Sequence, residues 1–240
     1  MIAGAQRSGT TYLYGLLDDH PDIEMAKPVR PEPKFFLDDE RYARGLSYYE
    51  SEYFSEPATR VRGEKSTSYV ESEVAAQRIK AMLPGALVVV VVRDPVARAA
   101  SNYRFSVQAG NEDLPLDEAL RASADETRPW DTDRFSVSPH AYLPRGRYAD
   151  YLERFSRHVP RDQIHVVVFE ELVADGAVIA DLYSRLGVDA GFVPARLGVA
   201  ANATEPDDER LDPGLAAWLR EYYREPNARL ATFLGRALPW

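Results

Sequence analysis

The 240-residue sequence has no cysteine. That single absence removes disulfides, cysteine-ligated zinc, iron–sulfur clusters and thiol nucleophiles. Histidine is scarce: His20, His140, His158 and His165 are the full set of 4, and none stands at a spacing that suggests a metal site, so no metal is expected. Long apolar runs are missing. The longest, Ala86–Val92, is about a third of a membrane-spanning helix, and the first residues lack a signal peptide's charged and apolar regions. The expectation is a cytoplasmic chain without membrane insertion. No repeat, low-complexity tract or Gly/Ser-rich linker divides the sequence, so one domain is expected over residues 1–240. Positive charge is in deficit, with 29 Lys+Arg against 38 Asp+Glu and a net charge of −9. That balance argues against a nucleic-acid partner while leaving room for a local basic pocket.

What is present reads as an ordinary soluble globular chain, 45% hydrophobic and 28% charged. Leu87–Val92 is a run of aliphatic residues without alternation, the pattern of a strand buried on both faces. Ile164–Phe169 reads the same way, and Met1–Ala5 is a shorter strand candidate. Helical patterns run through Leu13, Leu16 and Leu17 and over Glu73–Leu83, Val96–Gln108, Tyr148–His158, Val178–Leu186 and Pro213–Leu234. Strands separated by helices imply crossover connections and a doubly wound α/β fold, a P-loop-type domain with a central parallel sheet flanked by helices. Ligands of such sheets bind beyond the carboxyl ends of strands, which directs attention to the residues after Ala5 and Val92.

Three loops carry chemistry. Gly4-Ala5-Gln6-Arg7-Ser8-Gly9-Thr10-Thr11 keeps the G-x-x-x-x-G spacing of a phosphate-cradling loop between a strand and a helix. Thr10 replaces the lysine of a nucleoside-triphosphate loop, and the cation, Arg7, comes earlier. In the second loop Arg93 leaves the buried strand, Asp94 and Pro95 suit the cap and first position of a helix, and Ser101 follows two turns on. In the third, Glu32 stands between Pro31 and Pro33, a carboxylate on a stiffened loop suited to a general base. Lys34 and Lys65 could neutralise charge on a leaving group. Singly, each loop also fits a plainer role: a tight strand–helix turn, an ion pair, a solvated loop.

Together these segments resemble the sulfotransferases that depend on 3′-phosphoadenylyl sulfate (PAPS), nearest the carbohydrate and tyrosylprotein branch that includes the heparan sulfate enzymes. Gln6–Thr11 is similar to that family's 5′-phosphosulfate loop, and Arg93-Asp94-Pro95 with Ser101 and Tyr103 to its 3′-phosphate motif. Glu32-Pro33-Lys34-Phe35-Phe36 resembles its catalytic loop, and Glu64-Lys65-Ser66 a segment lining the site. Gly146-Arg147-Tyr148-Ala149 and Phe169-Glu170-Glu171-Leu172 also match. The resemblance implies transfer of a sulfuryl group from PAPS to an acceptor hydroxyl or amine, with 3′-phosphoadenosine 5′-phosphate (PAP) as product and no metal. It implies catalytic roles for Glu32, Lys34 and Lys65. It also implies cofactor binding by Arg7, Ser8, Gly9, Thr10, Thr11, Arg93 and Ser101. Two departures stand out: Lys34 occupies a position that is usually histidine, and Asn202–Arg210 is acidic where the heparan-type enzymes carry a basic loop.

Rival readings stay open: a P-loop small-molecule kinase, disfavoured by Thr10, and a catalytically silent nucleotide-binding protein. His20 and His140 remain alternative bases. The acceptor is expected to be a small molecule or glycan of little charge, given the −9 balance, the acidic Glu205–Glu209 stretch, and seven aromatics read as crowding the acceptor side, Phe35, Phe36, Tyr48, Tyr49, Tyr53, Phe54 and Tyr69, about half of which are expected to fill the core instead. A homodimer is left open.

Overall fold

The computed structural model describes residues 1–55, 59–125, 128–132, 134–135, 137–198 and 211–240. Along the chain come β1 (Ile2–Gly4), α1 (Thr10–Asp18), β2 (Ile23–Met25), α2 (Asp39–Ala43), α3 (Gly45–Tyr53), β3 (Val61–Gly63), α4 (Glu73–Met82) and β4 (Val88–Val92). Next are α5 (Pro95–Gln108), α6 (Leu116–Ala122), α7 (Tyr148–Phe155), β5 (Ile164–Val168), α8 (Phe169–Ala174), α9 (Gly176–Leu186) and α10 (Pro213–Leu234). The fold is α/β, as the sequence implied.

All five residues of β4 are buried, because it lies in the middle of a parallel sheet of order β1-β4-β5. Its ladder with β5 runs in unbroken register from Val88↔Ile164 to Val92↔Val168. A strand covered on both faces can be apolar at every position, so the Val88–Val92 run is the sequence image of this placement. β5 departs from expectation. It ends the sheet order, and His165 and Val166 are only half-buried, since an end strand has a neighbour on one side only. A second, two-stranded parallel sheet joins β2 to β3, with Ile23↔Val61 and Met25↔Gly63 in register.

Two compact units emerge. Met1–Val92 with residues 153–198 holds both sheets around Ile2, Leu13, Val89, Val91, Val167 and Leu182. Arg93–Leu152 with residues 211–240 packs α5, α6 and α10 around Ala99, Leu120, Tyr142, Leu143, Leu219 and Tyr223. α10 keeps its expected span because Asp212 caps its first amides and Gly235 closes it at φ 69. α7 stops at Phe155, short of the expected His158; Pro160 lies just beyond and disfavours helical geometry in Val159.

Candidate active site

In the first unit, β1 leads through residues 5–9 into α1. Ala5 N–H donates to the Val91 carbonyl at 2.9 Å, extending the sheet one residue past the strand, and Ser8 N–H turns back to the Ala5 carbonyl at 3.2 Å. Arg7 adopts φ 65 and Gly9 φ 87. Gly9 caps α1 and brings no side-chain hydrogen bond to the helix start. The amides of the first turn are therefore left to a ligand or water, and their partial positive charge favours an anion. A Cβ at Gly9 would run into the Phe169 ring, so packing against that ring admits only glycine at this point of the loop. Ser8 and Thr10 are buried, whereas Arg7 and Thr11 are partly exposed.

The same unit brings Glu32 and Lys65 together, two residues 33 apart in sequence. After β3 the chain runs beside β1: Ile2 N–H donates to the Glu64 carbonyl at 2.7 Å, and Ser66 N–H donates to the Ile2 carbonyl at 3.1 Å. Lys65, 3% exposed, is thereby fixed next to the strand that feeds the anion loop, and its ammonium pairs with Glu32 Oε1. Glu32 Oε2 accepts from the Thr67 amide at 2.9 Å and from Thr67 Oγ1 at 3.0 Å. A carboxylate and a cation in contact, one of them only 16% exposed, form a site where a proton can be taken up beside a positive charge. Lys34 stands at φ 49 at the head of the 3₁₀ turn Phe35–Leu37, with its amide donating to Ser66 Oγ at 2.9 Å.

Glu64 underpins this arrangement. Its carboxylate is 1% exposed and accepts three hydroxyls: Tyr49 at 2.9 Å, Tyr69 at 2.8 Å and Ser66 at 2.5 Å. Ser66 in turn receives the Lys34 amide, and Tyr69 receives the Phe36 amide at 3.3 Å. Burial pushes the Glu64 carboxyl up, with the hydroxyl donors pulling it back in part. Thr67, Tyr49 and Tyr69 had no part in the catalytic set read from sequence. Thr67 follows Glu64-Lys65-Ser66 directly and could have been found; Tyr49 gives no local signal.

In the second unit, Arg93 precedes α5. Asp94 caps that helix by accepting the Val96 amide at 2.9 Å, with Pro95 at its first position, as the sequence implied. Ser101 is 4% exposed. Its turn of the helix is anchored by the fully buried Arg98, which donates to the Tyr142 carbonyl and to Asn102 Oδ1, the latter at 3.2 Å.

Several expectations change. His20 is 1% exposed, Nδ1 accepting from the Asp22 amide and Nε2 facing the Asp189 carbonyl, both at 3.1 Å, with the ring against Tyr183 and Phe192. Both nitrogens are engaged, which removes it as a base. His140 lies 3.6 Å from Glu112, which Arg128 and Tyr142 also hold; burial first, then Arg128, lowers its pKa. Phe35, Phe36, Tyr49, Tyr53 and Tyr69 are core, with ring centroids 4.8 Å apart for Phe35–Tyr49 and 5.6 Å for Phe36–Tyr69. They fill the interior around Glu64 and are not available to stack on an acceptor; Tyr48 and Phe54 alone of the seven are partly exposed. The acidic Asn202–Arg210 stretch lies outside the described residues. Among the described residues no group of three or more His, Asp or Glu could hold a metal ion, and no helix is long and apolar enough to cross a membrane.

The sulfotransferase domain family matches residues 1–191. The chain is 29% identical over 264 aligned positions to human heparan sulfate glucosamine 3-O-sulfotransferase 3B1, covering 100% of this chain and 64% of that enzyme. It is 28% identical to human bifunctional heparan sulfate N-deacetylase/N-sulfotransferase 1, again over 100% of this chain but 30% of the relative. The crystal structure of a sulfotransferase from Alicyclobacillus acidocaldarius superposes with a TM-score of 0.80 at 26% identity, covering 99% of this chain and 95% of the other.

Proposed function

The chain belongs to the sulfotransferase family, and from that membership we propose that it transfers a sulfuryl group from PAPS to a hydroxyl of a glycan or small glycoside. The observation that carries the reading is the loop into α1, a helix start with no side-chain cap, with the Glu32–Lys65 pair on the segment beside the same strand. The donor, when bound, supplies an already activated sulfuryl group. Arg7 and the amides of Gly9, Thr10 and Thr11, in the loop shaped by the turn of Ser8 back to Ala5, would hold its 5′-phosphosulfate oxygens, an anion on a helix start. By resemblance to the family's 3′-phosphate motif, Arg93 and Ser101 would hold the 3′-phosphate, a group that PAP carries and ADP lacks. Glu32 takes the acceptor's proton at a carboxylate oxygen. Lys65, already in contact with that carboxylate, lends positive charge where anionic character builds, and Lys34 adds a second cation on the same loop. A triphosphate kinase is the weaker reading, because Thr10 stands where its lysine would be. The heparan sulfate enzymes among its relatives support a glycan acceptor.

The test has two arms on the full chain. Calorimetry in the presence of a metal chelator is expected to show PAP binding about tenfold or more tightly than ADP, since charged hydrogen bonds to the 3′-phosphate are worth roughly 1.5–3 kcal/mol. Transfer of labelled sulfate from PAPS to glycan acceptors is expected to fall about 10²–10⁴-fold in Glu32→Gln with PAP affinity retained. Equal affinity for PAP and ADP, or an absolute Mg²⁺ requirement, refutes the proposal; an unimpaired Glu32→Gln refutes the base.

A further inference from the structure

The geometry points to Tyr148 as the residue that aims Arg93, and so sets how strongly the site distinguishes a nucleotide bearing a 3′-phosphate from one without it. This rests on the reading of Arg93 as a 3′-phosphate ligand.

The need arises at a strand end. The β4 ladder stops at Val92↔Val168, because its partner strand turns into α8 at Phe169. Arg93 is the next residue, and its amide and carbonyl require partners from elsewhere. One side chain serves both. The Tyr148 hydroxyl donates to the Arg93 carbonyl at 2.9 Å and accepts from the Arg93 amide at 3.3 Å. With both polar groups of one residue tied to a single oxygen, the Arg93 backbone is held on its strand-end side, while Asp94 fixes the next residue by capping α5. The direction in which the Arg93 side chain departs follows from those two constraints.

Tyr148 is itself firmly mounted. It is 2% exposed and opens α7, directly after the 3₁₀ turn Pro144–Gly146. Gly146 lies so close to Tyr223 that a Cβ there would strike its ring, and the Tyr223 hydroxyl donates to the Leu143 carbonyl at 2.9 Å. On the other side, Arg147 bonds Asp150 at 2.6 Å. Arg93, by contrast, is partly exposed. The division of labour is thus between a partly exposed arginine and a buried tyrosine that orients it. Tyr148 is a positioning residue, and the hydroxyl is the operative atom.

The experiment uses Tyr148→Phe, which keeps the buried ring, together with Arg93→Ala and the double variant, each titrated with PAP and with ADP by calorimetry. Tyr148→Phe is expected to weaken PAP about five- to twentyfold and leave ADP within about twofold, the ADP titration also reporting that the chain is folded. In the Arg93→Ala background the same change is expected to do nothing further, because the two residues act on one contact. In turnover, KM for PAPS should rise while kcat holds. Equal losses for PAP and ADP, or additive losses in the double variant, overturn the inference and leave Tyr148 as structural support. If wild type and Arg93→Ala both fail to prefer PAP, the 3′-phosphate reading falls and this inference with it.

Discussion

A carboxylate removed from water is costly unless donors surround it, and Glu64 has three hydroxyls and almost no exposure. Burial outweighs those donors, so the folded chain binds the Glu64 proton more tightly than the unfolded chain does. Between the unfolded and the raised folded value the native state therefore carries more protons, and stability from this group is lost as pH rises through that window. Glu64→Gln has no such slope. Melting temperatures of wild type and Glu64→Gln, compared from about pH 4 to about pH 8, should move in favour of the variant as pH increases. In a chain of this size about 1 kcal/mol displaces Tm by about 2–4 °C, so the trend is measurable. The relative slope is the readout, because the amide also alters the hydrogen bonds to Tyr49, Tyr69 and Ser66. Parallel curves would mean that Glu64 titrates alike in both states.

At the scale of elements, the turn from β1 into α1 concentrates two distinct costs at Gly9. Its φ of 87 strains any other residue, and Phe169 occupies the space a Cβ needs. Gly45 has a similar φ of 78 with nothing within 4 Å, and so isolates the backbone cost. Gly45→Ala is expected to lower stability by about 1 kcal/mol without touching nucleotide affinity. Gly9→Ala should cost about 1–3 kcal/mol and weaken PAP about tenfold or more, measured by thermal melts and calorimetry. A Gly9→Ala protein no worse than Gly45→Ala would contradict both the collision and the cradle. The elements themselves differ in how far sequence exposes them. The Val88–Val92 run and the 22-residue α10 are long enough for a period or its absence to register. β2 and β3 have 3 residues each, too few for any pattern, and nothing local marks their pairing. For the same reason Gly4–Gly9, Arg93 and Glu32 were legible as separate motifs. The Glu32–Lys65–Thr67 contact was not, since it depends on the Glu64–Ser66 segment lying beside Ile2.

For the whole molecule, the field of a chain carrying −9 opposes approach of a polyanion unless a local basic track overrides it. The acidic excess supports a weakly charged acceptor, whereas five of the seven aromatic rings are core and cannot stack on one. Relatives that act on heparan sulfate pull the other way. Ionic strength separates these forces, since raising salt to about 0.15 M contracts the screening length to about 8 Å. If the global field dominates, sulfation of a heparan-like polymer starts low and climbs as salt is added, while neutral glycosides and phenols react at a rate that salt leaves nearly constant. If a basic track guides a polymer, its sulfation starts high and declines with salt. Competition between the two acceptor types for labelled PAPS, at low and at physiological salt, reads out both slopes. We expect the neutral acceptors to win at low salt and the polymer to gain on them as salt increases; a polymer preferred at low salt and lost at high salt would place a cationic track on this chain despite its net charge.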